Sequence, residues 1–163
     1  MNRWVSRLSV VLLLLVLATS TADAQRRSRR RAIAVNAGPT YGAHVGYNFD
    51  VDELLGGAQL SWPLTPDLAL YPTFDYYFVS GGSLWALNFD LKYRPPTRYG
   101  AWYVGGGLNW SHASSGGVSG SDTNLNLLTG LEGRRGRTRP YIEGKFILGN
   151  GSSFQIVGGV NWR

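Results

Sequence analysis

Residues 68–93 read LALYPTFDYYFVSGGSLWALNFDLKY, and both halves of the stretch alternate. Leu68, Leu70, Phe74, Tyr76 and Phe78 share one parity, with Pro72 among them; Ala69, Tyr71, Thr73, Asp75 and Tyr77 share the other. After Ser80-Gly81-Gly82-Ser83, Trp85, Leu87, Phe89, Leu91 and Tyr93 alternate with Ala86, Asn88, Asp90 and Lys92. Successive side chains of a strand point to opposite faces, so each arm reads as a strand with one apolar, aromatic face. A glycine pair between two such runs signals a hairpin. Each arm has roughly 10 to 12 residues, and a tilted strand needs about 9–11 to cross a bilayer. Large apolar residues on one face and small polar ones on the other predict a transmembrane β-barrel, lipid outside and a packed polar interior.

The same pattern extends along the chain. A first strand is predicted at 40–49, an acidic loop at 50–53, a second strand at 54–64 and a turn at 65–67. Beyond the turn 94–100, strand five spans 101–111 and places Trp102, Val104, Leu108 and Trp110 outward. The Ser/Gly-rich segment 112–121 reads as the longest loop. Strand six is expected at 122–133, strand seven at 140–148, and strand eight at 153–162 after the Asn150-Gly151 turn signal. The fold class is therefore all-β: eight antiparallel strands in hairpin succession, an up-and-down barrel. Side chains fill the interior of a barrel that small. Tyr71, Tyr77, Tyr103 and Tyr141 fall inside and argue against a wide pore.

Charge follows the same division. Asp75, Asp90, Lys92, Glu132, Glu143 and Lys145 all lie on the polar parity and are expected to form a luminal network. The expected register sets Asp75 near Asn88, Thr73 near Asp90 and Tyr71 near Lys92, with Glu132 in reach of Glu143 and Lys145. His44, if inward at the same depth, is a further cation. Arg94, Arg98, Arg134, Arg135, Arg137 and Arg139 gather in turns at the end that carries the termini and form a basic cluster there. The outward face carries no charge, as lipid requires: a midplane charge costs about 2–4 kcal/mol.

The 163 residues suit one domain, and the chain has no cysteine. Arg3 and Arg7, the apolar run 8–18 and Ala22-Asp23-Ala24 have the three parts of a secretory signal, so residues 1–24 are expected to be removed. Residues 25–38, with Arg26, Arg27, Arg29, Arg30 and Arg31, form a basic periplasmic segment, and 39–163 the barrel domain. The basic segment suggests anionic headgroups or cell-wall polymer rather than nucleic acid, because the chain is exported.

Val45-Gly46-Tyr47-Asn48-Phe49, Phe74-Asp75-Tyr76-Tyr77, Arg139-Pro140-Tyr141-Ile142-Glu143 and Val157-Gly158-Gly159-Val160-Asn161-Trp162 resemble the small eight-stranded outer-membrane barrels of Gram-negative bacteria, the opacity-type or OmpA/OmpX-type family. The resemblance spans residues 40–163. It implies location in the outer membrane, outer-membrane lipids as surroundings, and Sec export and barrel-assembly machinery during biogenesis. Members usually end on an aromatic residue; here Arg163 follows Trp162.

Three functional classes compete. A structural or surface-interaction barrel without catalysis, cofactor or metal, present as a monomer, leads. An outer-membrane enzyme acting on lipid would need a nucleophile and a base, and the adjacent Ser111 and His112 face opposite ways on a strand. A soluble calycin-like lipid carrier would need a highly charged exterior, and neither parity supplies one.

Overall fold

The computed structural model describes residues 38–96, 102–133, 136–149 and 151–163. The signal segment, the basic block after it, and Arg98, Arg134, Arg135 and Asn150 lie outside the described residues. Eight strands follow in order: β1 (Thr40–Asn48), β2 (Glu53–Pro63), β3 (Leu68–Tyr77), β4 (Gly82–Tyr93), β5 (Trp102–Ser115), β6 (Val118–Glu132), β7 (Thr138–Leu148) and β8 (Ser153–Trp162). Each pairs antiparallel with its neighbours, and β1 pairs with β8 to close a barrel.

The alternation sorts the side chains as expected. Tyr71, Thr73, Asp75 and Tyr77 of β3 are buried, while Leu70, Phe74 and Tyr76 are exposed. Among the described strand residues, no charge stands on the outward parity. Two aromatic belts ring the outside. Near the terminus end stand Tyr41, Trp62, Tyr93, Trp102 and Trp162, and near the other end Phe49, Tyr76, Phe78, Trp110 and Phe154 with Trp85. Between them the surface is aliphatic and Phe: Val45, Leu60, Phe89, Leu108, Leu125, Leu127, Ile142 and Phe146.

Inward glycines make room for the bulky luminal groups. A Cβ at Gly107 would run into the Phe89 carbonyl and Asp90, and one at Gly130 into the Tyr103 ring. This is the close approach that the glycine runs indicate.

Two expectations need correction. Segment 112–121 is not a long loop. β5 and β6 continue through it and join at Gly116 and Gly117, with φ of 58° and 85°, the left-handed pair that a tight hairpin turn demands. The ladder runs to Ser115–Val118, so the hairpin stands beyond the rest of the rim. The register of the opening hairpin also differs by two residues: Asp75 faces Ala86, Thr73 faces Asn88, Tyr71 faces Asp90 and Ala69 faces Lys92. A shift of two keeps every side chain on its face, so the inside and outside survive while the partners change.

Candidate functional site: the barrel lumen and its two ends

The luminal charges meet in an arrangement that the strand positions alone did not give. Lys92 on β4 reaches Glu143 on β7, Nζ to Oε2 2.7 Å, with both side chains almost fully buried. Its ammonium lies 3.2 Å from the centroid of the Tyr71 ring, 4.2 Å from that of Tyr103 and 5.3 Å from that of Tyr141. A cation over aromatic faces is attracted by the ring quadrupole, more so when desolvated. Tyr103 also donates its hydroxyl to Glu143 at 2.8 Å. Three tyrosines on three strands thus enclose one ion pair.

Lys145 is held more loosely, 3.6 Å from Asp90 Oδ2 and 4.0 Å from Asp75 Oδ2. Asp75 is shared: His44 Nε2 lies 2.8 Å from its Oδ1, and Asn88 donates to its Oδ2 at 2.9 Å. The other His44 ring nitrogen is 2.6 Å from Gln59 Oε1. Asn88 in turn accepts from Asn109 and Asn126, so an asparagine ladder links β4, β5 and β6. Such chains of buried hydrogen bonds make a polar interior tolerable, and among the described residues only Asp90 Oδ2, Asn126 Oδ1 and Gln155 Nε2 are buried without a hydrogen-bond partner.

Glu132 does not meet Glu143 or Lys145. It faces Tyr141 across the ladder and takes its cations from Arg94, just past the end of β4, and Arg139, near the start of β7. Arg94 Nη2 lies 2.9 Å from its Oε2, and Arg139 Nη1 3.6 Å from its Oε1. Asn161 adds a hydrogen bond of 3.1 Å. Two of the arginines assigned to a basic cluster are therefore turned inward as a lid on the lumen, whereas Arg137 and Arg163 are exposed. With Arg94 and Arg139 counted, the buried carboxylates Asp75, Asp90, Glu132 and Glu143 each have a cationic partner. Both arginines serve Glu132, while Asp75 and Asp90 share Lys145.

The opposite end is closed differently. Leu55, Tyr77, Ala86, Tyr141 and Val157 form a buried apolar cluster, with Val79 and Leu84 packed on it. Beside the expected charged network, the lumen thus holds an apolar plug. Leu55 and Val157 were overlooked because both stand beside glycines in runs where neither parity looks fully polar.

Ser111 and His112 point to opposite faces and do not meet. His112 lies instead across from Ser121, Nδ1 to Oγ 2.8 Å, beside Trp85. Only the strand register brings these two together, so spacing along the sequence could not show it. Among the described residues, no group of His, Asp or Glu is placed to hold a metal ion.

No family model matches this chain, and none of the curated proteins does. Solved structures do. The N-terminal β-barrel domain of Pseudomonas aeruginosa OprF aligns over 76% of this chain and 95% of its own, with 19% identity and a TM-score of 0.55. Neisserial surface protein A aligns over 77% and 97%, with 16% identity and a TM-score of 0.60. The chain has the fold of the small eight-stranded outer-membrane barrels. A de novo designed protein, TMB2.3, shares that fold at 14% identity and a TM-score of 0.56, covering 78% of this chain and 97% of its own. Likeness at such low identity is likeness of architecture, which for this barrel the alternation and the closing register define.

Proposed function

We propose that the mature chain is an integral protein of the Gram-negative outer membrane, a sealed monomeric barrel whose role is structural or surface-interacting rather than catalytic. The uncharged exterior between two aromatic belts supports this reading most directly, because a lipid core excludes charge and interfaces collect Trp and Tyr. Export through a cleaved signal and insertion by the barrel-assembly machinery belong to the same reading. The termini and Arg137 then face the periplasm, where exposed arginines attract anionic headgroups or cell-wall polymer. The β5–β6 tip faces outward from the cell.

Because the chain has no cysteine, single cysteines report sidedness cleanly. Ser119→Cys should react with a membrane-impermeant maleimide on intact cells, and Arg137→Cys only after lysis. Equal labelling of both on intact cells, or recovery of the protein in the soluble periplasmic fraction, overturns the placement. Unboiled and boiled membrane extracts should also migrate differently on gels, since a closed barrel keeps its strand hydrogen bonds internal and has no edge to open.

One observation favours a second reading, an enzyme acting on lipid esters. The His112–Ser121 pair lies near the outer belt beside Trp85, within reach for a base and a nucleophile. It is exposed, and among the described residues no carboxylate meets His112 to orient it. Loss of fatty-acid release from membranes on Ser121→Ala would move the assignment to this class.

A further inference from the structure

His44 joins two parts of the luminal network. Its Nδ1 lies 2.6 Å from Gln59 Oε1, and its Nε2 lies 2.8 Å from Asp75 Oδ1. Both neighbours are oxygens, and an amide or carboxylate oxygen only accepts. The side chains beyond Gln59 are ordered in the same sense. Gln59 Nε2 donates to Asn161 Oδ1 at 3.0 Å and to the Val160 carbonyl at 3.4 Å. Asn161 Nδ2 then donates to Glu132 Oε1 at 3.1 Å. His44, Asp75, Gln59, Asn161 and Glu132 are all buried.

This order resists reversal. A side-chain amide points whichever way its hydrogen-bond neighbours require. Turning Gln59 over would aim its oxygen at the Val160 carbonyl and at Asn161 Oδ1. Turning Asn161 as well would aim its oxygen at Glu132, a carboxylate held by Arg94 and Arg139. At the other end, Asn88 donates to Asp75 Oδ2, and Lys145 lies 4.0 Å from the same oxygen. Those contacts suit a carboxylate, yet Asp75 must share Lys145 with Asp90. The pocket is therefore one cation short unless the imidazole supplies it.

The ring has little room to turn. Gly57 of β2 and Gly159 of β8 stand opposite it, and a Cβ at either would run into His44. The titratable groups around it are Asp75 on β3, with Lys145 on β7 behind that carboxylate, and Tyr141 on β7, whose ring also meets the Gly159 position. Beside it, β2 and β8 present only Gly57, Gln59, Gly159 and Asn161, and β4 presents Asn88 to Asp75.

We propose that His44 is a buried imidazolium with both ring nitrogens donating, and that its second hydrogen is a pH-operated clasp between the Asp75 cluster and the Glu132 lid. With one ring hydrogen gone, either Asp75 or Gln59 faces a nitrogen that no longer donates. The chain then breaks at that point, or turns over and lets go of Glu132.

Nuclear magnetic resonance of the full barrel in detergent, with isotopically labelled His, Gln and Asn, tests this. The chain has two histidines, so His112→Gln leaves His44 as its sole imidazole. At about pH 7.5, where a free imidazole is mostly neutral, each ring nitrogen of His44 should carry a directly bonded hydrogen. As the pH is raised further, the side-chain amide signals of Gln59 and Asn161 should shift in the same step as the imidazole. Asn161→Leu does not touch the ring but frees Gln59 to turn over, so the ratio of charged to neutral imidazole should fall roughly tenfold, the worth of one hydrogen bond. A ring nitrogen without hydrogen at about pH 7.5 overturns the imidazolium. Amide signals that stay still through the imidazole step overturn the clasp, and an unchanged ratio in Asn161→Leu overturns the ordering of the chain. If Asn161→Leu does not fold, the amide signals in His112→Gln decide that point by themselves.

Discussion

The barrel wall and the projecting tip of β5–β6 are made of the same alternating strand, but under opposite constraints. In the wall, every side chain faces either the uncharged exterior or a crowded lumen, and each buried charge has a named partner. At the tip, both faces are wet: Val118, Ser119, Gly120, Ser121, Asp122 and Thr123 are all exposed. The wall is specified residue by residue from two sides. The tip is specified only by its turn and by its ladder with β5. Substitutions should therefore be costly in the first region and cheap in the second.

The largest effect is expected at Lys92. Lys92→Met leaves Glu143 buried without a cation inside the tyrosine cage and should lower stability by about 3–5 kcal/mol. Urea unfolding in lipid vesicles measures it. Phe89→Arg comes next. Phe89 sits midway between Trp85 and Tyr93 on the outward parity, near the midplane, where an arginine should cost about 2–4 kcal/mol in the same assay. A stability equal to wild type would mean that this face does not meet lipid.

Lys145→Met sharpens the comparison within the lumen. Its contacts at 3.6 and 4.0 Å are longer than the 2.7 Å of Lys92, and Asp75 keeps His44 and Asn88. A smaller loss is expected, about 1–3 kcal/mol. If it equals that of Lys92→Met, the asparagine ladder does not share the load.

At the tip, the turn is the one costly place. Gly117 has φ of 85°, and Gly117→Ala should cost about 1–2 kcal/mol locally. Its readout is faster amide exchange in 112–121 with an unchanged global midpoint. Thr123→Lys, on the outward parity of the projecting run, should stay within about 0.5 kcal/mol of wild type. A large loss there would mean that the run is covered in the membrane-bound protein.

The same contrast explains what could be read from the sequence. Lipid forces an uncharged parity, so the inside and outside of β3, β4, β5, β7 and β8 were legible from alternation alone. Water imposes no such rule, and the Ser/Gly/Thr composition of 112–121 concealed two strand extensions. Partners were harder to read than faces. A turn placed at Gly81-Gly82 gives one register, and the true ladder, beginning at Tyr77–Leu84, gives another on the same parity. Arg94 and Arg139 looked like solvated turn residues because strand position does not show how far a guanidinium can fold back. The lid on Glu132 was therefore invisible, as was the His112–Ser121 pair, which only the register creates.

The seam between β1 and β8 has a consequence in time. Seven of the eight ladders join strands that follow each other directly, so their loops are short. The eighth joins Tyr41 to Trp162, nearly the full length of the barrel apart. Loop-closure entropy grows with that separation, and long-range pairing is slow. Until Trp162 is in place, β1 and β7 both expose raw edges. The assembling chain thus passes through an open ribbon with two sticky margins. The final strand acts as a latch whose arrival separates a vulnerable intermediate from a finished protein.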